Sequence, residues 1–145
     1  MFSSTIKQLS ASSFLLDTGS PHYVKYVNRI DDVDINKEGK AIRYNDDYKE
    51  KGVNVNFVEK IDSKSISVAT YERGVEGETY SCGTGITAAA IVHLMEERPI
   101  GGKHTIQVAT KGGNLSVDIS LSARGIEEIW LNGPAVHVYN GELKV

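Results

Sequence analysis

The stretch from Gly85 to Glu97 constrains this chain more than any other. Ile86, Ala88, Ala89, Ala90, Ile91, Val92, Leu94 and Met95 cover nearly every face of the helix it encodes. A helix that is apolar all round must be buried on all sides. Its exit, Glu96-Glu97-Arg98-Pro99, is polar and closed by proline, as helix ends are. The remainder of the chain therefore has to wrap around it.

The wrapping material reads as strands. Phe14-Leu15-Leu16 is a short apolar run that stops at the turn cluster Asp17-Thr18-Gly19-Ser20-Pro21, and His22–Val27 is β-branched and aromatic. Val53–Val58 alternates, with Val53, Val55 and Phe57 on one face and Asn54 and Asn56 on the other. Ile66–Tyr71 is a further strand. Thr105–Thr110 and Leu115–Leu121 form a hairpin around Lys111-Gly112-Gly113-Asn114. Ile126–Leu131 and Val136–Tyr139 complete the set, separated by Asn132-Gly133-Pro134. A charged segment, Asp31–Tyr44, predicts one short surface helix interrupted near Gly39. No βαβ alternation and no internal repeat is evident. The expected fold is α+β, a mostly antiparallel curved sheet or barrel around one buried central helix. Residues 1–13, Ser-rich and weakly patterned, are expected to be a linker or an appended terminus, leaving 14–145 as a single domain.

Composition narrows the function classes. At 145 residues the chain suits one domain. A net charge of -3 argues against a module that grips a nucleic-acid backbone, which needs a basic face. No apolar run reaches the roughly 20 residues of a membrane span, and the N-terminus lacks the apolar stretch of a secretion signal. One cysteine excludes an internal disulfide and a cysteine-based zinc cluster. No pair of histidines has metal-ligand spacing, so no metal is expected. The expected location is the cytoplasm, with no nucleic-acid or membrane partner.

That single cysteine sits where chemistry is favoured. In Tyr71-Glu72-Arg73-Gly74-Val75-Glu76-Gly77-Glu78-Thr79-Tyr80-Ser81-Cys82-Gly83-Thr84-Gly85 a strand ends, a turn follows, and Cys82 opens the buried helix. Unpaired N–H groups and the positive dipole end there stabilise a thiolate. Gly83 and Gly85 lack side chains, so a carboxylate can approach the N–H groups of Gly83 and Thr84. Glu72 or Glu78 is placed to relay a proton, and Arg73 to clamp a carboxylate. An isolated cysteine is usually only a small buried residue; the Ser-Cys-Gly-Thr-Gly context favours the functional reading.

Tyr-Glu-Arg-Gly, Gly-Glu-Thr and Ser-Cys-Gly-Thr-Gly before an Ala-rich helix resemble the second half of the diaminopimelate epimerase family. Gly19-Ser20-Pro21-His22 is similar to that family's Gly-Asn-Pro-His. Val53-Asn54-Val55-Asn56-Phe57 resembles its Asn-bearing strand, and Asn132-Gly133-Pro134-Ala135-Val136-His137-Val138-Tyr139 its closing motif. Proline racemases and hydroxyproline epimerases share Cys-Gly-Thr-Gly. The Glu72-Arg73 pair argues against them, because a proline-sized substrate has no distal charged end to clamp.

The resemblance implies a cofactor-independent epimerisation of LL- to meso-diaminopimelate, in lysine and peptidoglycan-precursor biosynthesis. One thiolate removes the α-proton and a thiol on the opposite face returns one. Cys82 would be one of the pair, assisted by Glu72 and His22. Arg73, Asn54 and Ser20 would bind the substrate, with Gly83 and Thr84 holding the reacting carboxylate. Two departures stand out: Ser20 replaces the family's asparagine, and the Glu72-to-Cys82 loop is one residue longer, with Glu76 or its neighbour inserted.

The family's other thiol lies in an N-terminal domain that has no counterpart before Phe14. The implied partner is that missing domain, and the chain alone is expected to be inactive. A homodimer pairing two Cys82 thiols is less favoured, since it would also bring together two copies of the distal grip. The competing classes are a cysteine-nucleophile hydrolase using His22 or His137, and a non-catalytic carboxylate-binding module. Of the other residues, His22 follows a proline turn at a strand start, and alone would read as a surface histidine at a strand edge. His93 and His137 read as structural, and His104 as an exposed residue before a strand. Asp31-Asp32-Val33-Asp34 reads as a solvated helix start, Gly112-Gly113 as a hairpin turn and Trp130 as a packing residue.

Overall fold

The computed structural model describes residues 5–144; residues 1–4 and 145 lie outside it, including the first part of the expected linker. The elements are β1 (Lys7–Ser10), β2 (Ser13–Asp17), β3 (Pro21–Val27), α1 (Ile35–Arg43), β4 (Asn54–Asp62), β5 (Ser65–Glu72), β6 (Gly77–Thr79), α2 (Gly83–Glu96), β7 (Gly102–Thr110), β8 (Gly113–Ser122) and β9 (Gly125–Asn132). They build one sheet in the order β1-β2-β3-β4-β5-β7-β8-β9, with β6 added beside β5. This is the expected α+β fold with a mostly antiparallel sheet.

Alternation along the strands decides which side chains meet which helix. Val53, Val55 and Phe57, with Ala69 and Tyr71 of β5, pack with Ile35 of α1. Val58, Ile66 and Val68 face the other way and pack on α2, together with Phe14, Leu16, Val24, Ile106, Val108, Val117, Ile119 and Ile126. Nine residues of α2 are buried, from Gly85 to Leu94, as its all-round apolar composition requires. Strands β2, β3, β4, β5, β7 and β8 all touch α2. Six strands side by side span about 24 Å, roughly twice a helix diameter, so the sheet must curve to reach the helix from both sides.

Two connections are parallel: β3 to β4, with α1 between them, and β5 to β7, reached through β6 and α2. Parallel neighbours need such helical crossovers. The chain therefore contains helical crossovers between parallel strands, against the expectation of no βαβ alternation. The charged α1 hides the pattern, because only Ile35 and Gly39 of its nine residues are buried. Gly39 does not interrupt α1. It lies where the helix passes closest to the sheet, with Tyr71 Cβ only 2.4 Å from the position a Gly39 Cβ would take. Asp34 caps this helix, accepting from the Lys37 N–H at 3.0 Å, in keeping with the solvated helix start expected at Asp31–Asp34.

Other expectations also change. Lys7–Ser10, expected within a linker, is an edge strand paired with β2; all four residues are exposed, so no alternation marks them. Val136–Tyr139 is not a strand among the described residues. The chain leaves the sheet after β9 at Gly133-Pro134, where proline lacks the N–H that pairing needs, and Val136, Val138 and Tyr139 are each more than 80% exposed. His137 is therefore an exposed residue outside any strand. His104 lies inside β7, half-buried, its Nε2 2.8 Å from the Ile100 carbonyl. Trp130 does not pack in the core: it lies opposite Asp118 on the outer face of β9 and is 60% exposed.

Candidate active site

The strands that face α2 change character along their length. On β3, Val24 gives way to His22; on β4, Val58 gives way to Asn56 and Asn54; on β5, Val68 gives way to Thr70. The apolar ends surround the body of α2, and the polar ends converge on its N-terminus. His22, Asn54, Asn56 and Thr70 are all buried. Buried polar groups persist only when hydrogen-bonded, and these are.

Cys82 is the N-cap of α2, 8% exposed, with no side-chain cap bond. Its carbonyl accepts the first intrahelical bond, from Ile86 N at 2.8 Å, so the N–H groups of the first turn lack helical acceptors. Its Sγ lies 3.7 Å from Thr84 Oγ1. Thr84 Oγ1 is 3.3 Å from Ser20 Oγ, and Ser20 Oγ is 3.0 Å from His22 Nε2. Asn54 Nδ2 donates to Ser20 Oγ at 3.2 Å, while Asn54 Oδ1 accepts from the Arg73 N–H at 2.8 Å. The structure thus joins Cys82, Thr84, Ser20, His22, Asn54 and the Arg73 backbone in one network. A further bond, Thr18 Oγ1 to the Thr84 carbonyl at 2.9 Å, ties the turn before β3 to the first turn of α2.

Other candidates sit at the margin. Glu72 ends β5, half-buried, next in the chain to Arg73, whose backbone N–H joins the network. The Arg73 side chain is exposed and donates to the Lys51 carbonyl at 3.0 Å. Glu78 forms an ion pair with Lys111 at 3.0 Å. The long loop between Glu72 and Cys82 is a β5–β6 hairpin, in which Glu76 takes a left-handed conformation with φ 58°. Its carboxylate accepts from Tyr71 Oη and the Gly74 N–H, both at 3.1 Å, and lies 3.5 Å from Arg43 Nε. Gly83, Thr84 and Ser81 are exposed, so the site opens to solvent. The cleft of about 470 Å³ lined by Lys64, Leu94, Glu97, Lys103 and His104 lies at the opposite end of α2.

His22 is fully buried, not at a surface edge. Burial pushes its imidazole down to about 4; Asp17 opposes the shift and Arg73 adds to it. The folded protein therefore holds His22 neutral at pH values where an unfolded chain would charge it, so stability falls as pH drops from 6.5 towards 4. The expected loss from this residue is about 2 kcal/mol by pH 5 and about 3 kcal/mol once protonation is complete. Urea titrations at pH 7 and pH 5 measure it. The non-titrating His22→Gln variant should lose most of that pH dependence, retaining the part due to His93, which burial also pushes down. A wild-type midpoint that does not change between these pH values would refute the assignment.

Asn56 and Thr70 join the site in the structure and are not among the site residues that the sequence points to. Asn56 shares a face with Asn54, which is a usable signal. Thr70 follows Ile66 and Val68 on an apolar face and carries none.

The sequence matches the diaminopimelate epimerase family profile over residues 14–138. It is 40% identical over 129 residues to the diaminopimelate epimerase of Aquifex aeolicus, covering 88% of this chain and 44% of that protein. With the enzyme of Flavobacterium psychrophilum it shares 41% over 124 residues, covering 86% and 48%. The chain thus spans about half the length of these relatives. Among solved structures, a predicted epimerase from Pseudomonas aeruginosa aligns with TM-score 0.60 and 15% identity, over 81% of this chain and 41% of that one. A phenazine biosynthesis protein of the PhzF family from Bacillus anthracis aligns with TM-score 0.52 and 17% identity, over 87% and 37%; at these identities the likeness is one of fold. By sequence, this chain belongs to the diaminopimelate epimerase family.

Proposed function

We propose that these residues form the C-terminal half of a cofactor-independent diaminopimelate epimerase and supply one of its two proton-transferring thiols, Cys82. The observation that carries this reading is the placement of Cys82: a buried thiol at the N-cap of an apolar helix, hydrogen-bonded towards Thr84, Ser20 and buried His22. A thiolate formed there is stabilised by the helix end, and in that form removes the α-proton of an amino acid. The carbanion that develops is stabilised where its carboxylate meets the N–H groups of Gly83 and Thr84. Asn54 and Arg73 grip the distal end of the substrate, and Ser20 lies between that grip and the thiol. Glu72 and His22 assist the thiols.

Carbanion chemistry needs a site closed to water, and Ser81, Gly83, Thr84 and Arg73 are exposed. The cover, and the thiol on the opposite face, belong to a further domain, in line with relatives about twice as long. The substrate is diaminopimelate, no cofactor takes part, and the reaction belongs to lysine biosynthesis in the cytoplasm.

The test follows the α-proton signal of LL- and meso-diaminopimelate in D₂O by NMR. This chain alone is expected to give no exchange. Added to a separately produced polypeptide corresponding to the other half of a relative, it is expected to restore it. Exchange by this chain alone would refute the split-site reading, and none from the mixture of folded halves would refute the epimerase reading.

A further inference from the structure

Behind His22 lies a second layer that the proposed mechanism does not use. Asn56 Nδ2 is 3.1 Å from His22 Nδ1 and donates to the Tyr23 carbonyl at 3.3 Å, and Asn56 Oδ1 accepts from Thr70 Oγ1 at 3.0 Å. A carbonyl oxygen only accepts, so the Tyr23 carbonyl fixes which end of the Asn56 amide is the NH₂ group. That NH₂ group also faces His22 Nδ1, which must then be the bare, accepting nitrogen of a neutral ring. The ring proton is left on Nε2 and points at Ser20 Oγ.

The direction carries on from there. Asn54 is oriented in the same way, its Nδ2 towards the Pro21 carbonyl at 3.4 Å and its Oδ1 towards the Arg73 N–H. Ser20 Oγ thus accepts from both His22 Nε2 and Asn54 Nδ2, which fills its two lone pairs. Its own hydrogen turns to Thr84 Oγ1, and that of Thr84 to Cys82 Sγ.

We infer that Asn56 is a positioning residue: by holding His22 in the Nε2–H tautomer it sets the direction of a hydrogen-bond chain, through Ser20 and Thr84, that presents a donor to the Cys82 sulfur. His22 then acts as a donor within the chain and does not itself receive the thiol proton. Asp17 and Arg73 are the charged groups acting on the ring; neither selects between its two nitrogens by a hydrogen bond in the structure. The inference deepens the proposed function and rests on it only for the role of Cys82.

The test needs no substrate. In ¹⁵N NMR of the ring-labelled chain at pH 7, His22 is expected to show a protonated Nε2 and a bare Nδ1. In Asn56→Asp, whose carboxylate only accepts, a proton should appear on Nδ1. Iodoacetamide alkylation of Cys82 at pH 7 should slow about threefold in Thr84→Val, since the sulfur loses the hydrogen-bond donor that faces it. Thr84→Ser should retain the wild-type rate. A wild-type ring protonated at Nδ1, or equal alkylation rates in Thr84→Val and wild type, would overturn the inference. Should Asn56→Asp fail to fold, the wild-type spectrum and the exposed Thr84 pair still decide. A protein with the expected tautomer whose mixed halves give no exchange would sink the epimerase reading alone; restored exchange with the opposite tautomer would sink only this inference.

Discussion

Replacing Cys82 with alanine is expected to abolish α-proton exchange in the reconstituted protein, by roughly thousandfold or more. In the proposed mechanism the change removes the group that takes the proton and little else. The side chain is small and buried, and the backbone of α2 starts at the following residue. The first-turn N–H groups of Gly83 and Thr84, which bind the carboxylate in this mechanism, are untouched. Calorimetry should therefore show substrate affinity kept within a few-fold while exchange is lost. Cys82→Ser is expected to behave in the same way, because an alcohol is a far weaker acid than a thiol and is rarely ionised. An alanine variant that exchanged at the wild-type rate would remove Cys82 from the chemistry. A variant that lost binding and exchange together would assign Cys82 a structural part, the outcome a carboxylate-binding module predicts least well.

Gly39→Ala is expected to destabilise the fold by about 2–3 kcal/mol, even though alanine is the better helix former. The new methyl would lie 2.4 Å from Tyr71 Cβ and 2.6 Å from Tyr71 Cγ. A Cβ atom cannot rotate aside, and Tyr71 belongs to a strand paired on both sides, with Val55 and with Glu78. Helix α1 must lift from the sheet, opening the cluster of Ile35, Val53, Val55, Phe57 and Tyr71. Melting followed by circular dichroism should show a midpoint lower by roughly 6–10 °C. A midpoint at or above wild type would mean that α1 does not pack as described.

Gly39 also shows where sequence reasoning stopped. A glycine amid charged residues looks like a helix break, and only the position of Tyr71, thirty-two residues away in sequence, reveals it as a contact point. The buried helix, the Val53–Val58 alternation and the β7–β8 hairpin are legible because each is a local pattern, complete within one continuous segment of the chain. Strand β1 and the Val136–Tyr139 segment mislead in the sequence for opposite reasons. The first pairs through its backbone with every side chain exposed, and the second alternates without a pairing partner among the described residues. At the site, motif residues such as Ser20, His22, Asn54 and Cys82 could be named, and the structure joins them. The roles of Asn56 and Thr70 could not, because they follow from the orientation of one amide against the Tyr23 carbonyl.

The exposure of Trp130 has a spectroscopic consequence. It is the chain's single tryptophan and stands 60% exposed on the outer face of β9. Its emission in the folded protein already comes from an indole in contact with water, so unfolding shifts the spectrum little and fluorescence understates the loss of the core around α2. The same indole responds strongly to anything that covers β9 from outside, and a blue shift on mixing with a second polypeptide reports contact at that strand.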